Sequence, residues 1–248
     1  MNAVVMNFSG VYGLENFWRS DASEIDCAKI SGTDCYLDSF AEREIRRKME
    51  AFPLRGIHFV DSGNTHYMSK LWTDRISENF SLIVFDHHSD MQPPAFEGIL
   101  SCGSWLKAAL DSNPYLQNVL LVGVGESSAA EIGEAYLEKV RVVLERDVSD
   151  EAFADKFSFP EKIFRHPVYV SVDKDVLAEN ELKTNWDGGS LSARNLYKLL
   201  EKVFSRGEVL GVDICGEPSV QGNSPDIENL EKSDSINAKL LKFLKDRF

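Results

Sequence analysis

Three side chains that are common metal ligands lie at alternate positions directly after an apolar segment of the chain. Asp86, His88 and Asp90 follow residues 82–85, a Leu-Ile-Val-Phe run typical of a buried β-strand. Alternate residues of an extended chain point to the same side, so these side chains are predicted to share one face. Charged ligands at the end of a buried strand indicate a site at the carboxyl edge of an α/β sheet.

A second group of candidate ligands follows another apolar run. Residues 168–172 are mostly β-branched, and Asp173 and Asp175 come at alternate positions at the end of this run. Two carboxylates held close at the mouth of a buried strand repel each other, so a cation is the natural compensation. A third apolar run, residues 57–60, leads into a glycine-containing turn that presents His66.

Together these residues form a donor set of two imidazoles and four carboxylates. Such a set suits a harder divalent ion, and Mn²⁺ is the leading candidate ahead of Fe²⁺, Ni²⁺ or Zn²⁺. Four carboxylates balance two divalent ions, which predicts a binuclear centre with a bridging water acidic enough to supply hydroxide near neutral pH. The predicted metal ligands are His66, Asp86, His88, Asp90, Asp173 and Asp175.

The elements that must position these residues alternate between apolar strands and amphipathic helices. This alternation predicts a three-layer α/β/α fold, in which helices cover both faces of a mostly parallel sheet. The predicted strands span 3–6, 57–60, 82–85, 119–124, 140–144, 168–172 and 209–214. The predicted helices span 39–51, 104–109, 127–139, 192–204 and 235–245, and each begins with a serine that can cap it. The least structured segments are predicted at 17–33, 91–99, 178–189 and 218–230.

The bulk properties favour one globular domain over residues 1–248. The chain has 248 residues, 43% of them hydrophobic, which is enough to bury a full core, and no repeat or low-complexity linker divides it. The formal net charge of −13 argues against nucleic acid or an anionic membrane surface as a partner, because either would repel the protein. A small-molecule substrate is expected instead.

The cysteines and the N-terminal residues favour a cytoplasmic location. The four cysteines lack zinc-site spacing and are too few to cross-link a chain of this length, so free thiols are predicted. Residues 1–6 contain no basic segment and are too short for a signal sequence, and no apolar stretch approaches a membrane span.

Several motifs, in this order, resemble those of the ureohydrolases, the superfamily of arginase, agmatinase and formiminoglutamase. The Asp-x-His-x-Asp motif of the family matches residues 86–90, and its Ser-x-Asp-x-Asp motif matches residues 171–175. Its upstream Gly-Gly-Asp-His segment resembles residues 63–66, with the two middle residues replaced. Its downstream Gly-Gly-Leu-Ser segment resembles residues 188–192, with one residue extra. Motifs that follow predicted strands in the family order form a specific pattern.

The resemblance implies an eight-stranded, mostly parallel sheet, a binuclear manganese centre and a homo-oligomer. The family pattern assigns one ion to His66, Asp86, Asp90 and Asp173, and the other to Asp86, His88, Asp173 and Asp175. Two aspartates would then bridge the ions.

The segment after the last central strand departs from the family pattern. Family members that hydrolyse guanidino substrates have a Glu here that pairs with the guanidinium, and its position falls on Cys215 or Gly216 of this chain. Glu217 lies off register, so either it reaches the site from its loop as a replacement or that contact is lost. Residues 98–105 also lack the His that arginases use in this loop.

Three functional hypotheses follow from these motifs. The first is a binuclear manganese hydrolase of a non-peptide carbon–nitrogen bond in an amidine, guanidine or amide. The second is a deacetylase-type amidohydrolase of the same fold, whose pattern uses one zinc and a separate His-His pair, whereas His88 here lies inside the ligand motif. The third is a metal-binding module without turnover.

Five residues are candidates for contact with the substrate or the reacting atoms. Asp90 is predicted to relay a proton to the leaving nitrogen, and Glu217 is predicted to take part in catalysis from its loop. Glu126, Trp186 and Ser101 are predicted to bind the substrate. Glu126 ends another predicted strand, Trp186 lies in the loop after the second ligand strand, and Ser101 lies in the stretch after the first aspartate motif.

Overall fold

A central sheet of eight parallel strands organises the computed structural model, which describes residues 3–94, 96, 98–220 and 225–248. In chain order the strands are β1 (Ala3–Asn7), β2 (Ser23–Asp26), β3 (Tyr36–Leu37), β4 (Ile57–Phe59), β5 (Phe80–Phe85), β6 (Leu100–Ser101), β7 (Leu116–Val124), β8 (Val140–Leu144), β9 (Val168–Asp173) and β10 (Val209–Cys215). The order across the large sheet is β2-β1-β4-β10-β9-β5-β7-β8, with every neighbouring pair parallel. β3 and β6 form a separate antiparallel pair.

Helices cover this sheet. The α-helices are α1 (Ser39–Met49), α2 (Met68–Thr73), α3 (Trp105–Ser112), α4 (Glu126–Ala129), α5 (Glu145–Val148), α6 (Phe153–Lys156), α7 (Ala193–Arg206) and α8 (Ile227–Lys245). Short 3₁₀-helices lie at Val11–Gly13, Gly63–Thr65, Cys102–Ser104, Glu134–Tyr136, Glu161–Arg165 and Lys174–Val176.

The side chains of β5 show why the sheet has a helical layer on each face. Ile83 and Phe85 belong to one apolar core, together with residues of α7 and α8. Leu82 and Val84 point to the opposite face and belong to a second core, with residues of α1, α2 and α3. A strand buried on both faces needs no polar side, which is why it appears in the sequence as a continuous apolar run. The predicted three-layer α/β fold with a mostly parallel sheet is confirmed.

The seven predicted strands are all present, but β2 was not predicted and lies in a segment expected to be among the least structured. β2 is an edge strand that pairs only with β1. Ser23, Glu24 and Asp26 are exposed, and Ile25 is its one buried residue. An exposed edge strand buries little apolar surface, so it lacks the run that identifies the central strands.

The predicted helix over 127–139 is wrong. This segment contains the end of the four-residue α4 and a 3₁₀-helix that begins at Glu134. Gly133 has an extended backbone between them, with φ −65° and ψ 147°, and glycine disfavours a helix interior by about 1 kcal/mol relative to alanine. Only Ile132 is buried here, so packing does not offset that preference.

Helix α8 begins at Ile227 rather than at the predicted Ser235. The side chain of Asp226 caps it by accepting a hydrogen bond from the backbone of the first turn. The face that α8 buries here includes Ser233 and Asn237. Because these buried residues are polar, the apolar periodicity that marks a helix is hidden over the first turns.

The four cysteines are free thiols, as predicted, and three of them, including Cys215, are buried. Within the ranges that the structure describes, no helix combines the length and apolar character needed to cross a bilayer.

Candidate metal centre

The predicted ligands converge at the carboxyl edge of the sheet, in the segments that follow β4, β5 and β9. Parallel strands bring their carboxyl ends to one edge, which makes these distant segments neighbours in space. The cavity at this edge has a volume of about 230 Å³. The ligands that line it are His66, Asp86, His88, Asp90, Asp173 and Asp175.

The route by which β5 delivers its ligands differs from the prediction. The strand ends at Phe85, before the first ligand, and Asp90 has a left-handed backbone with φ 50°. A turn rather than a continued strand therefore brings Asp86, His88 and Asp90 to the same cavity. The shared cavity was correctly predicted, but the extended geometry given as its reason was wrong.

Nδ1 of His66 lies at the centre of the first group of donor atoms. It is 2.9 Å from Oδ2 of Asp90, 3.2 Å from Oδ2 of Asp86 and 3.5 Å from Oδ2 of Asp173. All four side chains are buried. Bonds of about 2.1 Å to one ion place neighbouring ligand atoms about 3 Å apart, so these separations fit ligands that share an ion.

Hydrogen bonds on the far side of His66 determine which of its two nitrogens carries the proton in the neutral ring. Nε2 of His66 lies 2.8 Å from Oγ of Ser171, whose hydroxyl donates to Oδ1 of Asp213 at 2.6 Å. Because Ser171 uses its only proton in that bond, Nε2 must be the donor to Oγ. In the neutral imidazole Nδ1 then has a lone pair directed at the carboxylates, which is the form that binds a metal.

Asp86 connects this group to a second one. Nδ1 of His88 lies 2.9 Å from Oδ2 of Asp175 and 3.6 Å from Oδ1 of Asp86. Oδ2 of Asp86, the oxygen near His66, is buried and accepts no hydrogen bond from the part of the chain that the structure describes. A buried carboxylate oxygen without a partner is costly. A divalent cation fits this oxygen-rich donor set and would satisfy it.

Burial and repulsion oppose the simultaneous ionisation of these carboxylates. Burial raises the pKa of Asp90 to about 6, and repulsion from Asp86 adds to the effect. Burial and the neighbouring carboxylates raise the pKa of Asp175 well above its usual value. Burial acts in the same direction on Asp86, but the interactions with the adjacent His66 and His88 rings outweigh it and hold its pKa below the usual range. Cations would remove the conflict, because they favour the ionised form of every carboxylate.

The structure adds Cys215 to this cluster. Sγ of Cys215, the last residue of β10, donates to Oδ2 of Asp173 at 3.1 Å. His66, Asp173 and Cys215 form a third group of donors, whose atoms lie within 4.8 Å of one another. The sequence contained a signal for this placement, since Cys215 is two residues after Asp213 in a strand and shares its face.

Two of the predicted substrate contacts, Ser101 and Trp186, line the cavity. The indole nitrogen of Trp186 donates to Oδ1 of Asn64 at 3.0 Å, and its ring lies edge-on to His88 with centroids 5.6 Å apart. Ser101 pairs with Tyr36 across the β3–β6 ladder, which brings Tyr36 to the same wall. The small antiparallel sheet thus builds the side of the cavity that the metal-ligand segments leave open.

The third predicted substrate contact, Glu126, and the predicted catalytic residue Glu217 are not among the residues that line the cavity. Glu126 is exposed and forms an ion pair with Arg146. Glu217 is fully buried beneath α8, where one carboxylate oxygen lies 2.7 Å from Nζ of Lys174. Lys174 lies between Asp173 and Asp175 in the sequence, and its side chain points away from the cavity. Because its ammonium group is buried there, it requires an acidic partner. Glu217 supplies that partner instead of replacing the family Glu.

The ion pair of Lys174 and Glu217 belongs to a buried cluster that includes Glu15. Nζ of Lys174 also donates to Ser233 at 2.8 Å and to Asn237 at 2.9 Å. The amide nitrogen of Asn237 donates to Oε2 of Glu15 at 3.1 Å. Two carboxylates therefore face one ammonium in this cluster. Burial, with the adjacent Glu217 charge, raises the pKa of Glu15 to about 9, so Glu15 stays protonated at neutral pH.

We expect Glu15→Gln to become more stabilising, relative to the parent, as the pH rises from about 5 to about 8. The pKa of Glu15 is about 9 in the folded protein but about 4.3 in an unfolded chain. The contribution of Glu15 to stability is therefore complete when the pH is below its pKa in the unfolded chain. It is lost as the pH rises towards its pKa in the folded protein. Glutamine keeps the hydrogen bonding of the protonated acid without titrating.

Urea unfolding at several pH values measures this effect. The difference in unfolding free energy between Glu15→Gln and the parent should grow by about 1.4 kcal/mol per pH unit over this range. Glu179, an exposed glutamate, provides the control, where the same substitution should change stability little at any pH. A constant difference for Glu15→Gln would show that Glu15 does not retain a proton in the fold.

The fold and the site define a class of protein, an α/β protein with a candidate metal centre at the carboxyl edge of its sheet. The sequence model of the arginase family matches residues 39–221. Because this match covers more than half of the chain, the protein belongs to the arginase family, and it has the hydrolase fold of that family.

One sequence relative and two solved structures are similar to this chain. The chain is 29% identical over 244 residues to an uncharacterized protein of Thermotoga maritima, covering 97% of this chain and 88% of the relative. Proclavaminate amidino hydrolase from Streptomyces clavuligerus has a similar structure, with a TM-score of 0.68, 16% identity and coverage of 100% of this chain and 92% of that one. The structure of Trypanosoma cruzi formiminoglutamase with Mn²⁺ gives a TM-score of 0.67 at 11% identity, with coverage of 98% of this chain and 93% of that one. At these identities the two structures show the shared fold alone.

Proposed function

We propose that this protein hydrolyses a carbon–nitrogen bond of a small amidine, guanidine or amide and uses two divalent ions, with Mn²⁺ as the leading candidate. The observation that carries the proposal is the position of Asp86. One of its oxygens faces His66 and Asp90, and the other belongs with His88 and Asp175. A single carboxylate shared by two donor groups is the arrangement that a pair of ions requires.

Two divalent ions in these groups would acidify a shared water and polarise the substrate. The residues of the chain determine where the donors point and where a proton goes. Ser171 accepts the proton of Nε2 of His66 in a hydrogen bond, so Nδ1 is the nitrogen through which the neutral ring would bind a metal. Asp90 lines the cavity and is held in place by a hydrogen bond from the indole of Trp105. We assign to Asp90 the transfer of a proton to the leaving nitrogen, a role that contributes about 10²- to 10⁴-fold to a rate.

The charge of the cavity wall favours a substrate without a carboxylate. None of its described residues is lysine or arginine, while Glu131 adds a negative charge to those of the ligand aspartates. The amide of Gln92 donates to Oε1 of Glu131 at 3.4 Å, which holds this carboxylate at the wall. An anionic group would meet no cationic side chain here, whereas a primary amine would pair with Glu131. A guanidine or amidine with an amine tail is therefore the proposed substrate class.

A metal-binding module without turnover is the second candidate. It is favoured by the absence of the family Glu, since Gly216 has no side chain and Glu217 is committed to Lys174. The deacetylase alternative has less support. Among the described residues of the cavity wall the histidines are His66 and His88, and both belong to ligand groups, so no separate pair is left for acid–base work.

A substrate panel tests the proposed function. The protein loaded with Mn²⁺ is incubated with agmatine, arginine and formimino compounds, and release of urea, ammonia or formamide is measured. We expect hydrolysis of the carboxylate-free guanidine, with a kcat/KM at least about 10-fold above that for arginine. Chelation should abolish the activity and added Mn²⁺ should restore it. Glu131→Gln should reduce the preference for the cationic tail without changing metal content.

Each result of the panel has a defined meaning. Complete inactivity of protein that holds two ions by elemental analysis would favour the binding module. A preference for arginine would overturn the argument from wall charge. Activity that survives full removal of metal would contradict the hydrolytic mechanism itself.

A further inference from the structure

Cys215 lies beside the position that an ion held by the first group of donors would occupy. Its side chain is fully buried, and Sγ is 3.1 Å from Oδ2 of Asp173. The same carboxylate oxygen is 3.5 Å from Nδ1 of His66. One thiol, one imidazole and one carboxylate thus present a sulfur, a nitrogen and an oxygen within 4.8 Å of one another.

The backbone after Cys215 keeps the thiol in this position. Gly216 has a left-handed φ of 86°, and a Cβ atom there would be 2.4 Å from Oδ1 of Asp173 and 2.7 Å from the backbone nitrogen of Lys174. The chain therefore passes directly against the ligand segment, which only glycine permits. β10 pairs with β9 as far as Cys215 and Asp173, which are register partners. The thiol and the carboxylate are consequently held side by side by the sheet.

We propose that Cys215 is a further metal ligand, and that its thiolate raises the affinity of this centre for softer divalent ions such as Zn²⁺ and Co²⁺ relative to its affinity for Mn²⁺. The inference rests on the proposed metal centre and concerns the identity of its ion. On binding, the thiol releases its proton to solvent as the sulfur–metal bond forms.

The chemistry of the donor set supports this assignment. Thiolate sulfur favours Zn²⁺ and related ions, whereas carboxylate and water ligands suit Mn²⁺. A site with imidazole and carboxylate donors alone would also bind Zn²⁺ more tightly than Mn²⁺, but by a smaller factor than a site with a thiolate. A thiol that only donated a hydrogen bond to Asp173 would orient the carboxylate and leave the preference for metals unchanged, so the two roles of Cys215 can be separated.

Cobalt substitution tests the proposal on the full chain. The metal-free protein is titrated with Co²⁺, bound cobalt is measured by elemental analysis, and the near-ultraviolet spectrum is recorded for a sulfur-to-cobalt charge-transfer band. We expect this band in the parent. We also expect it to be lost in Cys215→Ser while cobalt binding persists. Zn²⁺ and Mn²⁺ in competition should show a preference for Zn²⁺ that falls at least about 10-fold in Cys215→Ser.

Two further variants identify the sulfur. Cys102→Ser changes a different buried thiol, one that lines the cavity of the metal centre, and should retain the band. A variant with serine at Cys27, Cys35 and Cys102 leaves Cys215 as the only thiol, and it should also retain the band even if Cys215→Ser fails to fold.

The possible failures are distinguishable. Cobalt bound without a charge-transfer band in the parent would overturn the role of Cys215 and leave the metal centre intact. A band that disappears in Cys102→Ser would also overturn it. Absence of any bound cobalt, zinc or manganese would overturn the metal centre and with it the proposed function.

Discussion

Asp86→Asn is expected to reduce the metal bound after dialysis against Mn²⁺ from about two ions per chain to less than about one. The substitution removes the carboxylate that the two donor groups share, and an amide is a weaker ligand without the negative charge. We expect kcat/KM to fall by more than about 100-fold, because residues that merely orient a ligand already cost about 10- to 100-fold. Elemental analysis and a discontinuous product assay measure the two effects.

Comparison variants show whether the effect belongs to the site. Asp155→Asn changes an aspartate that pairs with Lys198 on the surface and should leave metal content unaltered. His88→Ala removes a donor from the second group alone, so it should retain about one ion. Asp173→Ala should lose metal as well. Two ions retained in both Asp86→Asn and Asp173→Ala would refute the ligand assignment.

Lys174→Met is expected to lower the free energy of unfolding by about 3–5 kcal/mol, which for a chain of this size lowers Tm by roughly 10 °C. Lys174 and Glu217 are both fully buried. Without the ammonium, the carboxylate of Glu217 would remain inside the protein with only neutral partners, and an unpaired buried charge is strongly destabilising. Thermal unfolding followed by circular dichroism, with chelator present to exclude metal effects, measures the change.

An exposed lysine and a double variant complete this test. Lys156 forms a surface pair with Asp150, and Lys156→Met should change the unfolding free energy by at most about 0.5 kcal/mol. Adding Glu217→Gln to Lys174→Met removes the stranded charge and should recover part of the loss. Equal losses for the buried and the exposed lysine would mean that the buried pair contributes nothing particular to stability.

The sheet and the convergence of the candidate ligands were predictable because their causes are local in the chain. A central strand is buried on both faces, so every residue of a run such as 82–85 is apolar whatever its neighbours are. The carboxyl ends of such strands lie at one edge of a parallel sheet by geometry alone. Ligands that follow the strands, including Asp86 and Asp173, therefore had to approach one another.

The errors arose where structure depends on a second segment. β2 forms because β1 offers it an open edge, although its own residues are mostly exposed. The first turns of α8 bury Asn229 and Ser233 beside Leu230, and Ser233 contacts both Lys174 and Glu217. A partly polar interior of this kind cannot be anticipated from helical periodicity. Glu217 appeared free to enter the cavity only because its partner, 43 residues earlier in the chain, was not known.

The sequence by itself determined the α/β class, the family pattern and the chemical types of the candidate metal ligands, since each follows from apolar runs and from residues at their ends. Tertiary structure alone decided which nitrogen of His66 is available, where Glu217 points and that Cys215 joins the donors. The physical reason is that these features are set by hydrogen bonds and ion pairs between strands and helices far apart in the chain. Such contacts exist only after the sheet has brought those segments together.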